Sequence, residues 1–120
     1  MGTSGELLEE VTAAGRRLRD VIPEVYSGYA RLHAAAMADG GALAGSTKEL
    51  IALAIAVTRE CDGCIASHAK AAARAGATPQ EVAEALGVAI MMNGGPGTVW
   101  GPRAFAAYEE FAAGQSVHND

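Results

Sequence analysis

Residues 46–76 read STKELIALAIAVTRECDGCIASHAKAAARAG, and this stretch carries two consecutive helix patterns with a polar break between them. Ser46 is a good helix cap, and Glu49 stands three positions later, the spacing of a reciprocal capping box. Leu50, Ile51, Leu53, Ile55 and Val57 then project in nearly every direction around a helix. A helix that is apolar all round predicts burial, so this segment is expected at the centre of the fold. Arg59-Glu60 interrupt the apolar run, and an Ala-rich segment from Cys61 to Ala75 predicts a second helix that stops at Gly76. Alanine favours helix because it gives up no side-chain entropy on becoming helical.

The chain on either side repeats the pattern. Upstream, Leu7, Leu8, Val11 and Leu18 give residues 6–19 a modest apolar stripe. Pro23 opens a further helix to about Ala38, at the one place where its missing N–H is harmless. Asp39-Gly40-Gly41 ends that helix. Downstream, Thr78-Pro79-Gln80-Glu81 is another start signal, and Val82, Leu86, Ala89 and Ile90 follow it to a stop at Asn93-Gly94-Gly95-Pro96-Gly97. A last helix is expected over about 102–113, burying Phe105, Tyr108 and Phe111, with a frayed polar tail over 114–120. No segment alternates as a strand does. The expectation is an all-α single domain over residues 1–120, built from five or six helices.

Composition narrows the function. The 120 residues are 50% apolar and 19% charged, which is the mix of an ordered globular chain. Net charge is −5, from nine basic and fourteen acidic residues, with only 5% aromatics. That balance argues against nucleic-acid binding. The longest apolar run, Leu50 to Val57, is far short of the roughly 20 residues of a membrane span, and the first residues lack the pattern of a signal peptide. A cytoplasmic protein without membrane or nucleic-acid partners is expected. The two cysteines, too few for a secreted disulfide framework, then indicate redox or metal chemistry.

On a helix, Cys61, Cys64 and His68 line up as i, i+3 and i+7. The cysteines have the spacing of redox-active dithiols. If Cys61 opens the helix, both sulfurs lie near the positive end of its dipole, which favours thiolate, as does a nearby imidazole. An ordinary thiol is only a few per cent ionised at neutral pH, so this assistance matters for a nucleophile. Glu49 precedes Cys61 by twelve residues. Tight antiparallel pairing of the two helices would bring its carboxylate near His68, where it could orient the imidazole or take its proton. That role competes with capping Ser46 for the same carboxylate.

These residues resemble the core of the carboxymuconolactone decarboxylase superfamily, in its AhpD-like alkylhydroperoxidase branch. The shared features are the Lys48-Glu49 pair opening an apolar helix and Cys61-x-x-Cys64-x-x-x-His68 on the next. Pro23-Glu24-Val25, Gly41-Ala42-Leu43 and Gly101-Pro102-Arg103-Ala104 are similar to family patterns too, so the likeness spans about residues 22–112. It implies an AhpD-like helical bundle with a single repeat per chain. By that resemblance Cys64 attacks a hydroperoxide and becomes a sulfenic acid, and Cys61 closes the disulfide. His68 and Glu49 carry the proton, and an external dithiol or a thiol–disulfide protein restores the pair. No metal or organic cofactor is implied. Short single-repeat members assemble into trimers or hexamers, so a homo-oligomer is expected. One departure stands out: Gly63 occupies the place where some alkylhydroperoxidases carry a second histidine, which implies a thinner relay.

Other readings of the same residues stay open. The cysteines could be small buried hydrophobes, or with His68 three ligands of a zinc site that needs a fourth from elsewhere. The superfamily name suggests a lactone-acid decarboxylase, though that chemistry needs no cysteine pair. A non-catalytic oligomer whose dithiol senses redox state is a third reading. Of the remaining residues, His33 is expected on a helix surface or interface, and His118 in the tail is assigned no role. Trp100, Tyr26, Tyr29, Met91 and Met92 are expected in packing, Arg16, Arg17 and Arg19 on a solvated face, and the 93–97 loop lacks the pattern of a phosphate cradle.

Overall fold

The computed structural model describes residues 2–119, with side chains to Gln115. All its regular elements are helical: α1 (Ser4–Val21), α2 (Pro23–Ala36), α3 (Gly45–Thr58), α4 (Asp62–Arg74), α5 (Pro79–Asn93) and α6 (Gly95–Asn119). Helices α3 to α6 pack into a body, α1 lies against α4 and α6, and the backbone of α2 approaches no helix but α1.

Helix starts follow the local chemistry closely where the side chains are free to cap. Thr78 and Glu81 form the expected capping box on α5, with Pro79 in the first turn. Thr3 and Glu6 form a second on α1. The box expected from Ser46 and Glu49 does not form. Helix α3 begins two residues earlier than a Ser46 cap would start it: its N-cap is Ala44, and no side chain caps it. Glu49 is thereby carried into the helix proper, where its side chain turns inward.

The core is small and rich in alanine. Leu53, Val57 and Val82 are its largest fully buried side chains, joined by Ile65, Leu86, Tyr108 and the alanines of α4 and α6. Small residues let these helices approach closely. At Gly97 an added Cβ would lie 2.8 Å from the Ile90 Cα, and at Gly101 it would lie 3.2 Å from the Ile90 side chain. This explains a correction. Helix α6 does not wait until Pro102: it starts at Gly95 and carries Pro102 within it. Gly97, in the stretch that resembles a helix break, and Gly101 are contact points of α6 with α5. At the other end α6 continues to Asn119, past the frayed tail expected from Gly114. The side chain of His118 is outside the described set.

Tyr108 is buried and donates its hydroxyl to the Ala77 carbonyl, tying α6 to the turn before α5. Burial, aided by the charge of Glu81, pushes its phenol above the ordinary value of 10.0. The neutral form is therefore the one the fold favours, and this contribution to stability holds below pH 10 and is lost as pH rises through the folded-state value.

Helix α3 is not buried all round, contrary to its pattern. Glu49, Leu53, Ala56 and Val57 face inward, while Ile51 and Ile55 are exposed. Met91 and Met92, expected in the core, are exposed on α5, and Tyr29 is exposed on α2. Phe105 and Phe111 pack against the core but are only partly buried. Apolar sequence gave these residues a place to bury, and a single chain does not supply it.

Candidate functional site

The site forms where α3 meets the start of α4. The chain leaves α3 through Arg59 and turns at Glu60, which holds a left-handed φ of 53°. The Cys61 N–H then bonds back to the Ala56 carbonyl at 3.1 Å. This fixes Cys61 as the N-cap of α4, with Asp62 in the first turn. The Cys61 sulfur accepts from the Cys64 backbone N–H at 3.3 Å. Cys61 and Cys64 are joined in a disulfide, with Cα atoms 5.2 Å apart. Cys64 is exposed and Cys61 partly covered, so the second cysteine is the one open to an incoming reagent.

One further turn along α4, His68 lies beside α3. Its Nδ1 is 2.8 Å from Oε2 of Glu49, across nineteen residues of sequence. Glu49 is the one buried charged residue of the described chain. The competition for its carboxylate is thus settled by position: Glu49 lies too far into α3 to cap it and is turned to the imidazole instead. That contact occupies Nδ1 and leaves His68 Nε2 as the nitrogen available for proton exchange. Lys48, the other half of the Lys-Glu pair, has a different task. Its Nζ donates to the Ala38 carbonyl at 2.7 Å, tethering the chain after α2 to the start of α3.

Two features were not legible in the sequence. His33, expected on a helix surface or interface, is exposed on α2, and its ring stacks over that of His68, with centroids 6.4 Å apart and planes 21° off parallel. No spacing rule connects positions 33 and 68, so the pairing appears only with the fold. The second is a cavity of about 1310 Å³ on which Glu49, His68 and His33 open, walled by α1, α4 and α6. Leu8 and Phe111 are among its apolar lining residues, and Arg16, Lys70 and Arg74 among its polar ones. The two cysteines are outside that lining. Trp100 is outside it as well, with Arg103 stacked 4.8 Å from the ring centroid. At Gly63 an added Cβ would meet the Val11 side chain at 3.6 Å, so α1 covers the position that a second histidine would occupy. Among the described residues no three His, Cys, Asp or Glu side chains converge on a metal position.

The helical body has known counterparts. The carboxymuconolactone decarboxylase family model matches residues 23–113, and the chain belongs to that family. An uncharacterised protein of Cupriavidus necator is 36% identical over 106 residues, covering 88% of this chain and 93% of the relative. A second relative, the uncharacterised protein 4 in the cox locus of Paracoccus denitrificans, is 34% identical over 110 residues, 92% of each chain. The crystal structure of the apo form of a carboxymuconolactone decarboxylase family protein from Legionella pneumophila superimposes with a TM-score of 0.88. It is 38% identical, and the match covers 91% of this chain and 96% of that one. The all-helical fold is therefore that of the family.

Proposed function

We propose that the protein is a thiol-dependent alkylhydroperoxidase, a dithiol–disulfide oxidoreductase that reduces organic hydroperoxides. The observation that carries this reading is the alignment of a CxxC pair, its second cysteine exposed, with a histidine held by a buried glutamate. In the reduced protein, His68 takes the Cys64 proton, and the neighbouring Glu49 carboxylate stabilises the imidazolium that results. The Cys64 thiolate attacks the terminal peroxide oxygen. The O–O bond breaks, the alkoxide leaves and takes a proton to become the alcohol, and Cys64 becomes a sulfenic acid. Cys61 attacks that sulfur, expelling water and closing the disulfide. An external dithiol then reduces the disulfide by exchange. The backbone N–H that bonds the Cys61 sulfur suits it to leave as thiolate in that last step. The chemistry needs no metal or organic cofactor, and a reducing compartment such as the cytoplasm would keep it turning over.

The test is direct. Protein supplied with an organic hydroperoxide and an excess of a small dithiol should consume many equivalents of peroxide per chain. Consumption no faster than in a protein-free control would refute the reading.

We also propose that the working form is a homo-oligomer, in keeping with its incompletely buried apolar faces. Val25, Tyr29 and Leu32 on α2 are 64%, 67% and 65% exposed, although α2 meets only α1. Ile51, Ile55, Val88, Met91 and Met92 are exposed on α3 and α5. Unpartnered apolar surface of this kind marks interaction sites. Sedimentation equilibrium should return an integral multiple of the 12.2 kDa chain mass; a monomer at micromolar concentration would contradict this.

A further inference from the structure

The site holds two imidazoles where the thiol chemistry above uses one. His33 is not there because α2 packs against α4, since α2 meets no helix but α1. It reaches His68 from a helix whose far end is anchored beside the site: Lys48 holds the Ala38 carbonyl, and Lys48 is the neighbour of Glu49 in α3. Helix α2 is thus fixed to the same turn that presents the carboxylate. The rings lie 6.4 Å apart and near parallel, without a direct hydrogen bond between them. At that distance two positive charges repel.

The fixed charges around the pair nearly cancel. From α1 the cavity receives Glu9 and Arg16, from α3 Glu49, from α4 Lys70 and Arg74, and from α6 Glu110. That is three acids and three bases. Glu110 is further engaged by the Ser4 and Gly5 backbone N–H groups at 3.0 and 2.9 Å. Imidazole is the side chain whose ordinary titration falls between pH 5 and 8.

We propose that His33 is a positioning residue of the site, the outer imidazole of a Glu49–His68–His33 series, and that its charge sets the pH at which His68 holds its proton. A proton on His33 disfavours a second on His68. The consequence for thiol reactivity rests on the hydroperoxidase reading, but the coupling itself does not.

The experiment follows the imidazole Cε1–H signals of the reduced protein by NMR from pH 5 to 9, with His68 assigned by its loss in His68→Gln. His33→Gln removes the repelling charge and should raise the His68 midpoint by about 0.5–1 pH unit. His33→Lys makes the charge permanent and should lower it by a similar amount. A general disturbance of structure would not give shifts of opposite sign. A His68 midpoint unchanged in either variant, or displaced the same way in both, overturns the proposal. The rate of Cys64 alkylation against pH should move with the His68 midpoint. Opposite NMR shifts that leave alkylation unmoved would uphold the histidine pair and locate the failure in the hydroperoxidase reading.

Discussion

Cys64→Ser should reduce hydroperoxide consumption to the protein-free background, while Cys61→Ser, without added dithiol, should still consume close to one equivalent and stop at the sulfenic acid. The two sulfurs are not equivalent in the fold. Cys64 is exposed and lies one turn before His68, whereas Cys61 is the partly covered N-cap of α4, its sulfur bonded by the Cys64 N–H. A serine hydroxyl at 64 has no accessible anion at neutral pH and cannot form a sulfenic acid, so the first bond-making step is lost. A serine at 61 leaves that step intact and removes only the resolving thiol, so the sulfenic acid accumulates. The measurement is peroxide remaining against time, with dithiol present for Cys64→Ser and absent for Cys61→Ser, read alongside the mass of the protein. Equal rates in wild type and Cys64→Ser would exclude Cys64 as the attacking group.

Glu49→Gln should slow the reaction about 100-fold at neutral pH, the lower range of what a positioned acid–base pair contributes. The substitution is chosen because glutamine is nearly the same shape. Its carbonyl oxygen can still accept from His68 Nδ1, so the ring should keep its orientation. What it lacks is the negative charge beside the imidazolium that forms when Cys64 gives up its proton. Glu49 is only 9% exposed, so water does little to replace that charge. Stopped-flow measurement of the first turnover, as a function of pH, separates the two roles. A rate unchanged in Glu49→Gln would mean the carboxylate merely orients the ring.

Much of this architecture was readable from local chemistry. The boundaries of α5 follow from Thr78, Pro79, Glu81 and Gly94, because caps and breakers act within one turn. The approach of Glu49 to His68 follows from two helices joined by a tight turn. Three kinds of information lay outside that reach. Whether Glu49 capped Ser46 or faced His68 depended on where α3 began, and its N-cap is Ala44, two positions before Ser46. Gly95, Gly97 and Pro102 carry the composition of a break, yet they are helical, and α6 passes close to Ile90 at Gly97 and Gly101. Ile51, Ile55, Tyr29, Met91 and Met92 carry the apolarity of a core, but apolarity does not say which chain covers them. His33 meets His68 through the path of α2, which no pairwise spacing encodes.

The most direct measurement of the central claim is a thiol count on protein reduced without oxygen, before and after one equivalent of an organic hydroperoxide, with the product read by mass spectrometry. The expected result is rapid loss of both thiols and a product lighter by two hydrogens, with a Cys61–Cys64 crosslink, and no such loss in Cys64→Ser. Two thiols that survive hours of exposure would contradict the account and leave the cysteine pair without peroxide chemistry.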